Sequence, residues 1–390
     1  MQKMETQAVV IGGGVTGTSV LRDLAMRGIS AVLFERGNIC EGTSGHFHGL
    51  LHSGARYVVK DPPTAEECIL ENRILRRIAP DAIEDTGGFF VVLDDSDEEY
   101  LPKFLEGCAK VGIPTEVLSA SEALREEPKL SPAVRQAVAV PDGSVDSWIL
   151  CMGNVKSARE YGARVFIYTP VTEILREGDR VIGVKAMDQT SGEEYIVYAQ
   201  YVINATGPWT HKVARLAGVD VPMVLSKGTM VVLDGRPVKR AINRCRYPSD
   251  GDIIVPVGTA IVLGTTSVNI DDPDNFIVEE WEVYKVLDEC INMVPVIEDM
   301  GIQRYYASVR PLYEPPAEGG EEPEEGREVS RAFYILDHEE LDGVSGFITI
   351  TGGKLTTCRL MAEKTVDLVC AKLGIEAACR THLEPLPTEP

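Results

Sequence analysis

No two cysteines in this 390-residue chain have the C-x-x-C spacing. The nine stand at positions 40, 68, 108, 151, 245, 290, 358, 370 and 379, so neither a zinc ribbon nor a ferredoxin-type iron–sulfur cluster is encoded. Their odd count fits a reducing compartment, where such side chains serve as small buried hydrophobes. The chain also lacks the roughly 18 to 20 unbroken apolar residues of a spanning helix, and the start MQKMETQAVVIGGG shows no leader-cleavage pattern. The expected location is cytoplasmic, with at most peripheral membrane contact through a partner. Basic residues are scarce: 38 Lys and Arg against 60 Asp and Glu leave a net charge of −22. That field repels phosphate backbones and anionic lipid, so nucleic acid is not expected as a partner. Part of the acidity lies in PPAEGGEEPEEGRE (315–328), which reads as a solvated loop.

With 44% hydrophobic residues, a chain of this length can bury a large core, as one big domain or two interleaved ones. It opens with a short apolar strand (7–11), a glycine turn, apolar residues at helical spacing (Val20, Leu21, Leu24, Ala25), a stop at Gly28 and a second strand, AVLFE. This βαβ unit carries Gly12-x-Gly14-x-x-Gly17 and ends on Glu35. Gly12 permits the tight turn, Gly14 admits a pyrophosphate to the backbone, and Gly17 lets helix pack on strand. The helix N-terminus supplies free N–H groups and partial positive charge. Glu35 is placed to accept from a ribose. The motif alone suits FAD and NAD equally. Similar glycine-bearing, strand-like segments recur at YVINATGPWT (201–210) and GFITITGGKLTT (346–357). A cofactor contacted by three distant segments is better matched by FAD.

The motifs GGGVTGTSVLRDLAMRG, EGTSGHFHGLLHSGARYVVKD, VINATGPWTHKVARLAG, SKGTMVV, PSDGDIIVPVGTAIVLGTTS, VRPLY, GREVSR, LDHE and ITGGKLTTCRLMAEKTVD follow one another along nearly the whole chain. In these the sequence resembles the FAD-dependent glycerol-3-phosphate dehydrogenases, particularly the catalytic (A) component of the anaerobic type, within the D-amino-acid-oxidase-like flavoproteins. The resemblance implies an α/β fold (α+β overall), with a Rossmann-like FAD domain of the glutathione-reductase/D-amino-acid-oxidase type and an interleaved, mostly antiparallel substrate domain. It divides the chain into FAD-binding segments 1–85, 144–225 and 336–380, substrate-binding segments 86–143 and 226–335, and a tail at 381–390. Members of this type usually continue into a C-terminal region with cysteines for an iron–sulfur centre, whereas the sequence stops at CRTHLEPLPTEP. The acceptor that the resemblance implies is a quinone or a partner iron–sulfur protein.

Local patterns fill in the elements. Thr64-x-x-Glu67 reads as a capping box opening a helix over 65–78. TGGFFVVLDD reads as a strand, and SDEEYLPKFLEGCAKVG as an amphipathic helix begun by Ser96 and ended near Gly112. GTMVVLD, DIIVPV and AIVLGTT read as strands, and VEEWEVYKVLDECINMV as a helix.

His46, His48 and His52 fall within seven residues, a spacing that could converge on zinc. No carboxylate or cysteine falls among the histidines at 46–52, so no metal is expected. The resemblance instead lays this loop along the FAD pyrophosphate and ring, making Thr43, Ser44, His52 and Ser53 cofactor-lining candidates, with non-covalent attachment. The other cofactor candidates are Val15 and Thr16, Arg36 beside Glu35, Val171, then Ala205, Thr206, Gly207 and Trp209, and finally Gly352, Gly353, Lys354, Leu355 and Thr356. Arg56, Tyr57, Arg310, Arg331 and Lys354 match family substrate positions, joined by Thr266; Asn72 and His338 are weaker candidates. A phosphomonoester carries about −1.5 to −2 near neutral pH, and a chain of opposite overall field must hold it with a focused cation cluster.

The implied reaction oxidises the C2 hydroxyl of sn-glycerol 3-phosphate to dihydroxyacetone phosphate, with hydride passing to flavin N5. Arg310, Lys354 and His52 are the catalytic candidates, His52 as a possible proton acceptor. Aerobic relatives carry a histidine near CRYPSDGD, where this chain has Arg244 and Arg246. Two other readings stand beside this one: a 2-hydroxy-acid or amino-acid dehydrogenase or oxidase on the same fold, and a non-catalytic flavin electron relay within a complex.

Overall fold

The computed structural model describes residues 1–313, 315 and 329–387. All but the first residue of the acidic 315–328 stretch therefore lies outside the described residues. Among those described, no helix is long and apolar enough to cross a membrane.

Two large sheets organise the chain. In the first, of eight strands, Gln2–Ile11 pairs in parallel with Ala31–Phe34 on one side and Glu194–Asn204 on the other. Arg164–Phe166 and Phe347–Gly352 extend the parallel core at its two ends. Parallel strands covered on both faces read as unbroken apolar runs, which is why AVVI and AVLF do not alternate with polar residues. Ala8 and Val10 face a cluster formed with the helices Val15–Met26, Ser147–Glu160 and Cys358–Leu373. Val9 and Ile11 face the other way, into a layer with Val184, Tyr195 and Val197. Burying Phe34 completely in that second layer contributes about 1.5–3 kcal/mol.

The second sheet has nine strands, antiparallel apart from the pairing of Ala241–Arg244 with Gly88–Val92. Its long ribbon joins Val224–Leu233 to Ile302–Leu312, with Ser226 opposite Arg310. The helix Glu280–Met293 covers this sheet through Val283, Val286, Cys290 and Met293. Strands of the first sheet lie at 2–34, 164–204 and 333–352, and those of the second at 88–140 and 224–312. The chain thus passes repeatedly between the two sheets, and the crossings bring distant segments to their common border.

Two helix starts differ from the sequence expectation. The helix expected to open at Thr64 runs Pro62–Ile78, and Asp61 accepts from the Thr64 N–H at 3.3 Å. Proline costs nothing in a first turn whose N–H groups have no partner, so Asp-Pro-Pro is a start signal and Thr64 sits inside the helix. The helix expected to open at Ser96 runs Asp95–Val111; Asp94 accepts from Asp97 N–H at 3.1 Å, and Ser96 donates to Asp94 at 2.7 Å. Its end at Gly112, in the left-handed region at φ 75°, is as expected.

Candidate active site

At the border of the sheets lies a cavity of about 1520 Å³, lined by segments of both. It exceeds the roughly 300–1,000 Å³ of a pocket for one drug-sized ligand. One end is the turn after Gln2–Ile11. Gly12 has φ +110°, and a Cβ there would lie 2.6 Å from the Ala205 carbonyl oxygen. A Cβ on Gly17 would lie 1.9 Å from the Gly12 carbonyl oxygen, so the helix is pressed onto the turn. Ser44 Oγ accepts from Val15 N–H at 2.9 Å, and the helix has no acidic residue in its first turn. Its remaining first-turn N–H groups and positive end are left for an anion. Glu35 receives Gly13 N–H at 2.6 Å and Gly37 N–H at 2.8 Å, one on each oxygen.

Beyond Glu35, the Arg36 guanidinium lies 3.9 Å from the centre of the Trp209 ring. Asp274, from the second sheet's side, accepts from Arg36 at 3.2 Å and from Trp209 Nε1 at 2.7 Å on Oδ1, and from Lys212 Nζ at 2.6 Å on Oδ2. A bare-backbone cradle, an open helix end and a carboxylate at the second strand's tip suit the pyrophosphate and ribose of a dinucleotide. The residues present therefore fit FAD.

The other end of the cavity is cationic. Lys354 Nζ donates to the Arg331 carbonyl at 2.8 Å and stands 4.9 Å from the centre of the Tyr57 ring. Arg56 Nη2 donates to Asp252 at 2.5 Å, while its buried Nη1 has no partner among the described residues. Arg310 is pushed down to about 9, by burial first and then by Arg331 and Arg56. Burial likewise lowers Arg331 and Lys354, each with a neighbouring cation's help. These groups are near enough to resist one another's charge, so an anion among them relieves a strain already present. His48 and His52 meet edge to face at 5.6 Å, and His52 meets Tyr57 at 5.4 Å. Burial, then Arg310 and Arg56, hold His48 down at about 3; burial, then His48 and the cations, hold His52 well below its usual range. Both rings are neutral. Leu50 N–H donates to His48 Nδ1 at 3.1 Å, which fixes the tautomer protonated at Nε2.

Candidates from distant parts of the chain converge on this cavity: Gly12, Gly14, Val15, Thr16, Glu35 and Arg36; Thr43, Ser44, His52, Arg56 and Tyr57; Val171, Ala205, Thr206, Gly207 and Trp209; Arg310, Arg331 and Gly352 through Thr356. Gly17, Ser53 and Thr266 are not on the wall. Gly17 packs helix on turn, as its type of motif requires. Ser53 is fully buried, its N–H donating to Asp142 at 2.7 Å. Thr266, expected as a substrate contact, is corrected: it is fully buried and its hydroxyl donates to Glu282 at 2.7 Å. Gly352 and Gly353 take φ 76° and 69°, and a 3-10 turn, Leu355–Thr357, precedes the α-helix.

The two weaker candidates, and the two arginines of the CRYPSDGD stretch, have structural partners of their own. Asn72 Nδ2 donates to the His52 carbonyl at 3.0 Å, and His338 contacts Asp342 at 2.6 Å and Thr349 at 2.9 Å. Arg244 pairs with Asp94 and Asp97, and Arg246 with Glu289 at 2.8 Å. The three clustered histidines do not converge, because His46 turns its Nδ1 to the Gly42 carbonyl at 3.0 Å. Sequence reasoning missed Asp274, Lys212 and Tyr247 on the wall. Asp274 gave no local signal, since its partners are 62 or more residues away.

A family model described as FAD dependent oxidoreductase (DAO) matches residues 7–359. The A1 component of the anaerobic glycerol-3-phosphate dehydrogenase of Haloferax volcanii is 47% identical, over 99% of this chain and 67% of the relative. The corresponding A component from Haemophilus influenzae is 45% identical, over 99% of this chain and 68% of its own length. The fold is shared with a solved L-alpha-glycerophosphate oxidase from Mycoplasma pneumoniae with FAD bound, at TM-score 0.78 and 17% identity over the full length of both chains.

Proposed function

The chain belongs to the DAO family of FAD-dependent oxidoreductases and, within it, to the A components of the anaerobic glycerol-3-phosphate dehydrogenases; from that premise we propose that it oxidises sn-glycerol 3-phosphate to dihydroxyacetone phosphate. The observation that carries the reading is the gathering of Arg56, Arg310, Arg331 and Lys354 on the same cavity as the glycine cradle. A 2-hydroxy acid or amino acid needs fewer cations than a phosphate dianion does.

FAD, when bound, supplies the hydride acceptor. Its pyrophosphate is assigned to the Gly12–Gly17 turn and the helix end behind it, its ribose to Glu35, and its ring to the face formed by Gly352, Gly353 and Lys354. The cofactor belongs to segments 1–85, 144–225 and 336–380, and the substrate also to 86–143 and 226–335. Arg56, Arg310 and Arg331 take the phosphate through charge-assisted N–H bonds, each contributing about 1.5–3 kcal/mol. Lys354 and Tyr57 orient the hydroxyl-bearing carbons. The same cations make C2–OH more acidic, since they favour its oxyanion.

His52 is the proton acceptor in this scheme. Without ligand, burial first, then His48 and the cations, hold down its basicity. A docked phosphate offsets their field, so the imidazole gains proton affinity when substrate is present. Electrons leave to a quinone or an iron–sulfur partner protein, in a cytoplasmic setting with at most peripheral membrane contact. All nine cysteines carry free thiols, which suits that setting.

Anaerobic titration tests the reading. Glycerol 3-phosphate should bleach the flavin band of the holoprotein, whereas lactate, 2-hydroxyglutarate and glycine should not. Bleaching by one of the latter alone would overturn the substrate class. Arg310→Ala and Lys354→Ala should slow the bleaching while FAD stays bound.

A further inference from the structure

Arg310 reaches the cavity without a carboxylate partner among the described residues. Its bonds run to neutral oxygens: Nη1 donates to Ser226 Oγ at 3.2 Å, and Nη2 donates to the Thr266 carbonyl at 3.0 Å and to the Thr265 hydroxyl. The guanidinium is anchored by these bonds, yet no carboxylate among the described residues neutralises its charge. It occupies a slot left by a missing side chain, since a Cβ on Gly228 would fall 2.6 Å from Nη2 and 2.8 Å from Nη1. Glycine inside a strand weakens it and marks close approach by another group, which here is Arg310.

Behind those oxygens stands a buried acid that the proposed reaction does not use. Glu282 is fully buried near the start of Glu280–Met293. One of its oxygens accepts from the Thr266 hydroxyl at 2.7 Å; the other accepts from Lys227 Nζ at 2.7 Å and from Glu279 N–H at 3.0 Å. The Thr266 hydroxyl also accepts from Thr229 N–H at 3.0 Å, on the strand that pairs with Arg310's own. Both hydrogen-bonding roles of that hydroxyl are thus committed, and the backbone of Thr265 and Thr266 is tied to helix and sheet together.

We infer that Glu282 and Thr266 are positioning residues for Arg310, with Lys227 as the counter-charge that permits a buried carboxylate there. A carboxylate directly on Arg310 would anchor it but offset the charge a phosphate needs. Setting the anion one link further back, neutralised by Lys227, provides the anchor and leaves the charge. A buried ion pair replaced by apolar groups is often neutral in stability, so the pair's use is sought in orientation. The inference deepens the phosphate-binding reading of Arg310 and rests on it.

The test uses the FAD-loaded full chain, with glycerol 3-phosphate kinetics and a separate titration of inorganic phosphate against the flavin band. Thr266→Val should raise both KM and the phosphate dissociation constant about tenfold, the scale of a small misplacement. It should leave kcat within about threefold and FAD content unchanged. Thr266→Ser restores the hydroxyl and should restore both constants. The double variant Glu282→Gln with Lys227→Met removes the anion without stranding a buried charge; it should act like Thr266→Val, and it carries the test if Thr266→Val does not fold. A lowered melting temperature with KM and phosphate affinity unchanged would overturn the inference. A wild-type protein that binds phosphate but is not reduced by glycerol 3-phosphate would overturn the function instead, because the phosphate titration still reads the anchoring of Arg310.

Discussion

Lys354 turns its ammonium to the face of Tyr57, with Nζ 4.9 Å from the ring centre and 2.8 Å from the Arg331 carbonyl oxygen. Three segments of the cation cluster are thereby linked through one side chain, although 297 positions separate Lys354 from Tyr57 (354 − 57). The residue before it, Gly353, is left-handed at φ 69°, which sets the direction in which Lys354 leaves the backbone.

Replacing that ammonium by an apolar stem of similar length isolates its charge. Lys354→Met should keep the fold and the flavin but lose about 2–3 kcal/mol of transition-state stabilisation, the lower range for truncating a buried charged contact. That corresponds to a roughly 30- to 150-fold lower kcat/KM. Steady-state kinetics with an artificial acceptor, alongside the flavin absorbance ratio, check it; an unchanged kcat/KM would remove Lys354 from the site.

Much of this arrangement was legible in the sequence, and its limits have physical reasons. The first βαβ unit could be read because Gly12, Gly14 and Gly17 are each demanded by local geometry within a few residues. The segments bearing Arg310, Arg331 and Lys354 could be read through motif order. Thr266 could not be assigned, because whether a threonine faces a cavity or a buried acid depends on Glu282, sixteen residues along and on another element. The helix starts at Asp61 and Asp94 lie two or three positions from their expected places because Ser96 and Thr64 are capping residue types as well. Asp274 had no local signature at all.

Asp274 is expected to act as a clasp over the adenosine end of the cofactor. Its carboxylate holds Arg36, Trp209 and Lys212 together from the opposite side of the cavity. Its ion pairs are partly exposed, with side-chain exposures of 41% for Asp274 against 50% for Arg36 and 40% for Lys212, so each is worth at most about 1 kcal/mol. Asp274→Ala should therefore speed FAD release by roughly 5- to 30-fold, which corresponds to about 1–2 kcal/mol. Recovery of flavin fluorescence after dilution measures the rate. Release from the wild type should also quicken with salt, and an Asp274→Ala rate equal to wild type would discard the clasp.

The two neutral imidazoles set a direction for acid stability. His48 is held down at about 3 in the folded chain, against an ordinary value of 6.5, by burial and then by Arg310 and Arg56. Below that ordinary value the unfolded chain binds a proton that the folded chain refuses. Stability must therefore fall as pH drops from about 6.5 toward 3, and this contribution is fully present only above that window. His48→Asn keeps an acceptor for Leu50 N–H without the titration. Urea unfolding at pH 7.5 and pH 5.0 should show a smaller loss of stability in the variant than in wild type; equal losses would mean that His48 is freely protonated in the folded state.

Ligand affinity has a window set from both sides. A phosphomonoester gains its second charge at a pKa of about 6, so binding strengthens as pH rises through that value. Burial first, and then Arg331 and Arg56, disfavour the charge of Arg310, yet a guanidinium keeps its proton across this range. Lys354 is also lowered, by burial before any other cause, and an ammonium can give up its proton. That shift weakens the hold on a dianion at the alkaline side. The dissociation constant of dihydroxyacetone phosphate, read from the flavin band, should fall as pH rises through about 6 and rise again before the ordinary lysine value of about 10.4. Replacing the phosphate by a sulfate ester, which is charged throughout, should abolish the acid limb and keep the alkaline one. Affinity that stays level from pH 7 to pH 10.5 would show that the cations are not held under strain, and the cavity would then have to recognise its ligand by other means.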